Sequence, residues 1–163
     1  MDLKRFLAAH PRPERALSVI LHDVEDPVNV GTAFRTADAV GVSQVILTGI
    51  TPRPPHKLID RVGRKKHKRV PWTYVPDVLD AIAAVKKDEY SVFALEITAA
   101  AQPYQDYEFP ARTCLVAGHE DHGVPRKVLE RCDGAIYLPM YGKGASLNVA
   151  VALSVASYRV MHP

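Results

Sequence analysis

The stretch LSVILHDVEDPVNVGTAFRTADAVGVSQVIL, Leu17 to Leu47, decides the fold class. Leu17–Leu21 is a short apolar run of the kind that forms a buried strand. Asp23–Pro27 breaks it. From Val28 to Val40 the residues Val30, Ala33, Phe34, Ala37 and Val40 recur at steps of three and four, the period of a helix with one buried face. Gly41 is suited to end that helix in a left-handed cap. Gln44–Leu47 is then a second strand.

The same alternation continues outward. Val78–Val85 reads as a helix, Ser91–Leu95 and Thr113–Ala117 as strands, Val124–Arg131 as a short helix and Ala135–Leu138 as a short strand. Ala145–Met161 reads as a long final helix, apolar almost all round and therefore buried. Residues 1–15 are expected to form a helical arm, Thr51–Pro71 a long basic loop, and Thr98–Pro110 a linker. Strand–helix alternation predicts a single α/β domain over residues 1–163, with a mostly parallel sheet and helices on both faces. Ligands bind such sheets in the loops beyond the carboxyl ends of the strands. Three of those loops are unusual: Asp23–Arg35, Gly118–Pro125 and Pro139–Asn148.

Composition narrows the class. The chain has 163 residues, 47% hydrophobic and 24% charged, which are globular values and argue against disorder. No apolar run approaches the ~18 residues of a membrane span, and MDLKRFLAAH lacks a signal-peptide core. Two cysteines, Cys114 and Cys132, exclude a disulfide framework and a four-cysteine zinc site. A reducing, cytoplasmic setting is the simplest expectation. The net charge of +3 is unevenly spread. Residues 1–75 carry 13 Lys/Arg against 7 Asp/Glu, and residues 76–163 carry 8 against 11. Within Arg53–Arg69 stand eight basic residues and one acid, Asp60. Such a cluster reads either as a solvated loop or as a polyanion site.

Three familiar signatures fail. There is no GxxxxGK[ST] loop. Gly142-Lys-Gly-Ala-Ser-Leu147 starts like a dinucleotide fingerprint, but Leu147 replaces the third glycine and no ribose-binding acid follows. His119-Glu120-Asp121-His122 is one residue short of the helical zinc motif, and Gly123-Val-Pro125 follows at once, so no metal is expected. What remains is positive. In Asn29-Val-Gly31-Thr-Ala-Phe-Arg35, Gly31 permits close approach of a ligand or another chain. The N–H groups of the helix start favour an anion, with Arg35 one turn on, on roughly the same face. Gly118–Gly123 places Glu120 just after an apolar strand, where an unused carboxylate would be expensive. In Leu138–Val149, Ser146 is a candidate helix cap, and Asn148 is either a satisfied core amide or a site residue.

Together these segments resemble the three signature motifs of the SpoU-type RNA ribose 2′-O-methyltransferases of the SPOUT superfamily. NVGTAFRTADAVGV is similar to the first, AGHEDHGVP to the second and LPMYGKGASLNVAVALSVA to the third. One departure is His119, where the family usually shows Asn or Ser before the glutamate. The resemblance implies a C-terminal trefoil knot and a homodimer with its catalytic site at or near the dimer interface. It implies S-adenosylmethionine as methyl donor, bound by Leu95, Glu96, Gly118, Ile136, Leu138, Met140, Ser146 and Leu147. It also implies Arg35 as the catalytic arginine, with Asn29, Glu120, Ser146 and Asn148 shaping the pocket. Arginine is a poor base, so a clamp on the ribose oxyanion and a phosphate is its expected role. Arg64, Lys65, Lys66, Lys68 and Arg69 are then expected to hold RNA phosphates. Trp72 either stacks on a base or, the preferred reading, supports the loop from inside. Transfer RNA is the favoured substrate: the chain reads as nearly all catalytic domain, and Val70-Pro-Trp72 looks like transfer-RNA members of the family. Ribosomal RNA is the main rival. A silent RNA- or nucleotide-binding homologue and a small-molecule α/β enzyme are the readings of other classes.

Overall fold

A computed structural model of the chain describes residues 2–144 and 146–163. Its centre is the expected strand–helix–strand unit: β1 (Ala16–His22), α2 (Pro27–Val40) and β2 (Gln44–Thr48), preceded by a short arm helix α1 (Leu3–Ala9). Beyond them come α3 (Lys57–Gly63), β3 (Trp72–Val75), α4 (Val78–Lys87), β4 (Ser91–Leu95), β5 (Gln102–Pro103), β6 (Arg112–Ala117), α5 (Arg126–Leu129), β7 (Gly134–Tyr137) and α6 (Val149–Met161). The strands form one sheet in the order β3-β2-β1-β6-β4-β7-β5, and every neighbouring pair is parallel.

Parallel sheets bury both faces, and strand residues alternate between them. Leu17, Val19 and Leu21 of β1 join Val45, Leu47, Leu115 and Phe93 under α2, α3 and α6. Ile20, Ile46, Val92, Ala94, Cys114 and Val116 point the other way, onto Val78, Ala81, Ile82 and Val85 of α4 and Val128 of α5. This two-sided burial is why the strands read as continuous apolar runs. Asp26 caps α2, accepting from the Val28 N–H, with Pro27 in the first turn. Gly41 closes that helix at φ +81°, where a side chain is disfavoured.

Three expectations need correction. Thr51–Pro71 is not simply a loop: it contains α3 and a 3-10 turn at Lys66–Lys68. Its charges masked an inward face on which Ile59 is fully buried. Trp72–Val75 is an edge strand, and Gln102–Pro103 inside the expected linker is another. Finally, α6 is buried on one face only. Ala150, Leu153, Ala156 and Val160 pack inward, while Val151 and Tyr158 are about half exposed, because the sheet and α2 cover a single side. The start of that predicted helix, Ala145, lies outside the described residues. Among the described residues, no helix is long and apolar enough to cross a membrane.

Candidate active site

The loops at the carboxyl ends of β4, β6 and β7 surround a cleft of about 670 Å³, counted out to its open mouth. Of the expected donor-binding residues, Leu95, Glu96, Gly118, Leu138, Met140, Ser146 and Leu147 line it. Ile136 does not. Its side chain is fully buried in β7, and its carbonyl accepts the Glu96 N–H at 3.0 Å. Three large apolar side chains at the cleft, Ile97, Met140 and Leu147, are 58%, 36% and 45% exposed.

The Gly118–Gly123 turn is tight for a visible reason. His119 and Gly123 exchange backbone hydrogen bonds of 3.1 and 2.9 Å, and a Cβ on Gly118 would overlap the Gly123 carbonyl oxygen. Gly123 has φ +64° and lies under the Glu96 carboxylate. Glu96 accepts the Val124 N–H at 2.7 Å and its neighbour Ile97 N–H at 2.9 Å. Glu96 thus braces the turn as well as facing the cleft.

Glu120 reaches from this turn to the start of α2. Its carboxylate accepts the Glu25 N–H at 2.9 Å, the Asp26 N–H at 3.1 Å and the Asn29 amide N–H at 2.8 Å. Asn29 in turn accepts from the Asn148 amide at 2.9 Å. Asn148 caps α6, taking the Ala150 and Val151 N–H groups at 3.0 and 3.1 Å. One chain of hydrogen bonds therefore joins all three sequence segments. Burial pushes the Glu120 carboxyl up, but the donors on Asn29, Glu25 and Asp26 outweigh it and hold the group below the ordinary carboxylate range.

This network revises two expectations. The anion beside the α2 terminus is the chain's own Glu120 carboxylate. The helix cap of α6 is Asn148, because Ser146 lies two residues ahead and outside the helix. Gly31 is also put to another use. It is buried against α3, where an added Cβ would stand 3.0 Å from the Gly63 nitrogen, so its bareness serves helix packing rather than ligand approach.

Arg35 stands apart. It is exposed and does not line the cleft, although Gly31 one turn earlier is buried. A four-residue step leaves an offset of about 40°. Arg35 is accordingly exposed where Gly31 is covered by α3. Thr36 and Ser154 share a 2.6 Å hydroxyl contact, so α2 and α6 lie side by side. Val28 of α2 and Val151 and Tyr158 of α6 are exposed with Arg35.

Among the basic residues, Arg64, Lys65, Lys68 and Arg69 are exposed. Arg64 and Lys65 have φ +48° and +56°, a turn that projects them outward at some backbone cost. Lys66 differs: it is paired with Asp38 on α2 and half-buried, so its charge holds the segment to the domain. Trp72 is half-buried and packs edge-on against Phe34 at 6.3 Å. His119 packs against His122, takes the Asp121 N–H on Nδ1 at 3.0 Å and brings Nε2 to 3.6 Å from Glu25. Among the described residues, no group of three metal-ligating side chains occurs. The sequence signals no role for Glu25 or Asp26, which act through their backbone N–H groups, whereas the tight turn expected from the two glycines of Gly118–Gly123 is present.

A parallel α/β sheet with a cleft and a polar network at its carboxyl edge defines an open-sheet α/β protein with a ligand site in the usual place. Comparison with known proteins specifies it. The profile of the SpoU rRNA Methylase family matches residues 16–158, and the chain belongs to that family. It is 32% identical over 147 residues to the tRNA (guanosine(18)-2′-O)-methyltransferase of Thermus thermophilus, covering 88% of this chain and 73% of that protein. It is 35% identical over 148 residues to the 23S rRNA (guanosine(2553)-2′-O)-methyltransferase RlmP of Bacillus subtilis, covering 89% and 58%. The SpoU methyltransferase AviRb from Streptomyces viridochromogenes, solved with AdoMet, superposes with a TM-score of 0.80 at 25% identity, covering 98% of this chain and 60% of that one. The chain thus spans less than two thirds of the length of several relatives it matches, 64% for two from Staphylococcus aureus.

Proposed function

We propose that this chain transfers a methyl group from S-adenosylmethionine to a ribose 2′-hydroxyl of RNA. The observation that carries the proposal is the Glu120–Asn29–Asn148 network beside a cleft whose apolar side chains stand exposed. Exposed Ile97, Met140 and Leu147 fit the flat face of a purine and the thioether stem of the donor. The cofactor when bound supplies an electrophilic methyl carbon on a sulfonium. The chain's own residues do the rest. Leu95, Leu138, Met140 and Leu147 exclude water, and Gly118 with Ser146 brings bare backbone and a hydroxyl to the wall. These side chains would hold the donor so that its methyl group could pass to the ribose oxygen with release of the thioether, while the hydroxyl proton would go to a phosphate oxygen or water. Arg35 clamps the developing oxyanion and a neighbouring phosphate with its planar fork.

Arg35 is exposed and does not line the cleft of its own chain, which supports a homodimer in which it serves the partner's cleft. The outer faces of α2 and α6 supply an apolar surface for that pairing. A trefoil knot belongs to the same reading. Supporting it, β6 lies between β1 and β4, and β7 lies between β4 and β5. Arg159 of α6 also donates to the carbonyls of Gln105 and Tyr107, in the segment before β6. Transfer RNA in the cytoplasm is the substrate favoured here. Identity to the RlmP relative favours ribosomal RNA as the second reading. The test is incubation with methyl-labelled donor and either unmodified transfer RNA or ribosomal RNA, followed by ribose mapping. Label at a 2′-oxygen is the expected result, and the RNA carrying it selects the reading. Donor binding with no label in either RNA would leave the silent homologue.

A further inference from the structure

The loop after β2 carries a surface that methyl transfer does not use. Ile50 is 63% exposed. Arg53 is exposed, and its guanidinium carbon lies 4.1 Å from the centre of the Tyr74 ring. Tyr74 is half-buried in the edge strand β3, and its hydroxyl donates to the Gly49 carbonyl at 2.9 Å. The Ile50 N–H donates to Asp23 at 2.9 Å, and the Thr51 hydroxyl accepts the Val24 N–H at 3.1 Å while donating to the Leu21 carbonyl at 3.1 Å. Gly49, at φ +62°, turns tightly under Asp23, where a Cβ would overlap the carboxylate. The loop is therefore fastened on one side to β3 and on the other to residues 21–24. The next two residues, Glu25 and Asp26, bind Glu120 at the cleft. It is held on both sides and shares the carboxyl edge of the sheet with the cleft.

We propose that Ile50 and the Tyr74-stacked guanidinium of Arg53 form a platform for an unpaired RNA base near the methylated nucleotide. The proposal rests on the RNA reading above. A guanidinium has two flat faces. One lies on Tyr74, and the exposed side chain leaves the other for a second ring. Arginine planes and aromatic rings stack bases without needing a particular sequence. A phosphate contact alone would not explain the bare Ile50 beside it. Exposed Lys57 and Arg61, on the following helix, supply the positive potential that draws the RNA backbone there. A base already stacked in a duplex cannot use such a platform, so the partner is a loop, bulge or single strand.

The test measures binding of the full chain to fluorescent transfer RNA and to a blunt RNA duplex by anisotropy. Arg53→Ala is expected to weaken transfer-RNA binding about tenfold, the scale of one lost stacked base. Arg53→Lys keeps the charge but should still lose about fivefold, and Ile50→Ser about threefold with an unchanged salt slope. Duplex binding should change little with Ile50→Ser or Arg53→Lys. Donor affinity and the thermal midpoint should match wild type, because both side chains are exposed. Wild-type transfer-RNA affinity in Arg53→Lys and Ile50→Ser, or equal losses on the duplex, would overturn the platform. If the wild-type chain methylates RNA while these variants bind it normally, only the platform falls. If the wild-type chain binds no RNA, the functional reading falls with it.

Discussion

Asn29 and Arg35 lie on one helix, yet the two sides of α2 have opposite character. The inner side is closed: Asn29 is buried, hydrogen-bonded to Glu120 and Asn148, and next to Gly31 packed on α3. The outer side is open: Arg35 and Val28 face solvent, beside an equally bare face of α6. Polar groups that form a satisfied internal network can be read from one chain, since every partner is present. A cation whose work lies with a second molecule cannot. The pocket-shaping contacts are thus made within the chain, whereas Arg35 stands exposed outside the cleft.

The largest expected effect is at Arg35. Arg35→Ala is expected to lower kcat/KM for RNA by about 10²–10³, the scale of a lost oxyanion donor, while donor affinity stays near wild type. Arg35→Ala can also be mixed with Asn148→Ala, used at a donor concentration at which the latter chain alone shows no turnover. If the arginine serves the partner's cleft, mixed dimers contain one intact site. Activity should then return to about a quarter of wild type under random pairing. No recovery, with mixed dimers demonstrated by mass, would place Arg35 in its own chain's site.

Asn148→Ala attacks the closed side. It leaves the Ala150 and Val151 N–H groups uncapped and removes the donor to Asn29. A lost cap and a broken part-buried bond each cost about 1 kcal/mol, so a drop of a few degrees in the thermal midpoint and weaker donor binding by calorimetry are expected. Asn148→Asp should restore the cap but not the donation to Asn29. Recovery of stability without recovery of donor affinity would separate the two roles.

How much of this was legible follows the same division. β1, α2 and β2 stood out because burial on both faces forces uninterrupted apolar strands, and because Gly41 marks a left-handed cap. Asn29, Glu120 and Asn148 were nameable from their motifs, but their connection was not, since hydrogen bonds across 91 and 119 residues leave no local pattern. α3 was hidden because basic residues crowd its outer face, leaving Ile59 and Gly63 as the few inward signals. Gly31 is legible only as a close approach: a glycine shows that something comes near, not whether it is a ligand, another chain or another helix.

Glu120 gives a smaller, pH-dependent effect. Its hydrogen bonds hold the folded carboxyl below its unfolded value of about 4.3. The resulting stability is fully present above that unfolded value and is lost as pH falls through the folded one. Wild type should therefore lose thermal stability on acidification below about pH 4. Glu120→Gln, whose amide sets a donor against the donors of Glu25, Asp26 and Asn29, should start less stable at pH 6 and show a shallower decline. Parallel curves for the two proteins would remove Glu120 as a source of the acid sensitivity.

The smallest effects separate the basic residues from one another. Arg64, Lys65 and Lys68 are exposed, whereas Lys66 is neutralised by Asp38 and half-buried. Each free cation that meets a phosphate releases a counterion, contributing roughly 0.7–0.9 to the slope of log affinity against log salt. Replacing Arg64, Lys65 and Lys68 by alanine should flatten that slope by about two to three and weaken RNA binding at low salt, with donor binding unchanged. Lys66→Ala should leave the slope alone and instead cost up to about 1 kcal/mol of stability, the worth of one partly exposed ion pair. A flattened slope in Lys66→Ala would mean that RNA displaces Asp38 from the lysine. The boundary between the closed and the open side of α2 would then shift on binding, instead of being fixed by the fold.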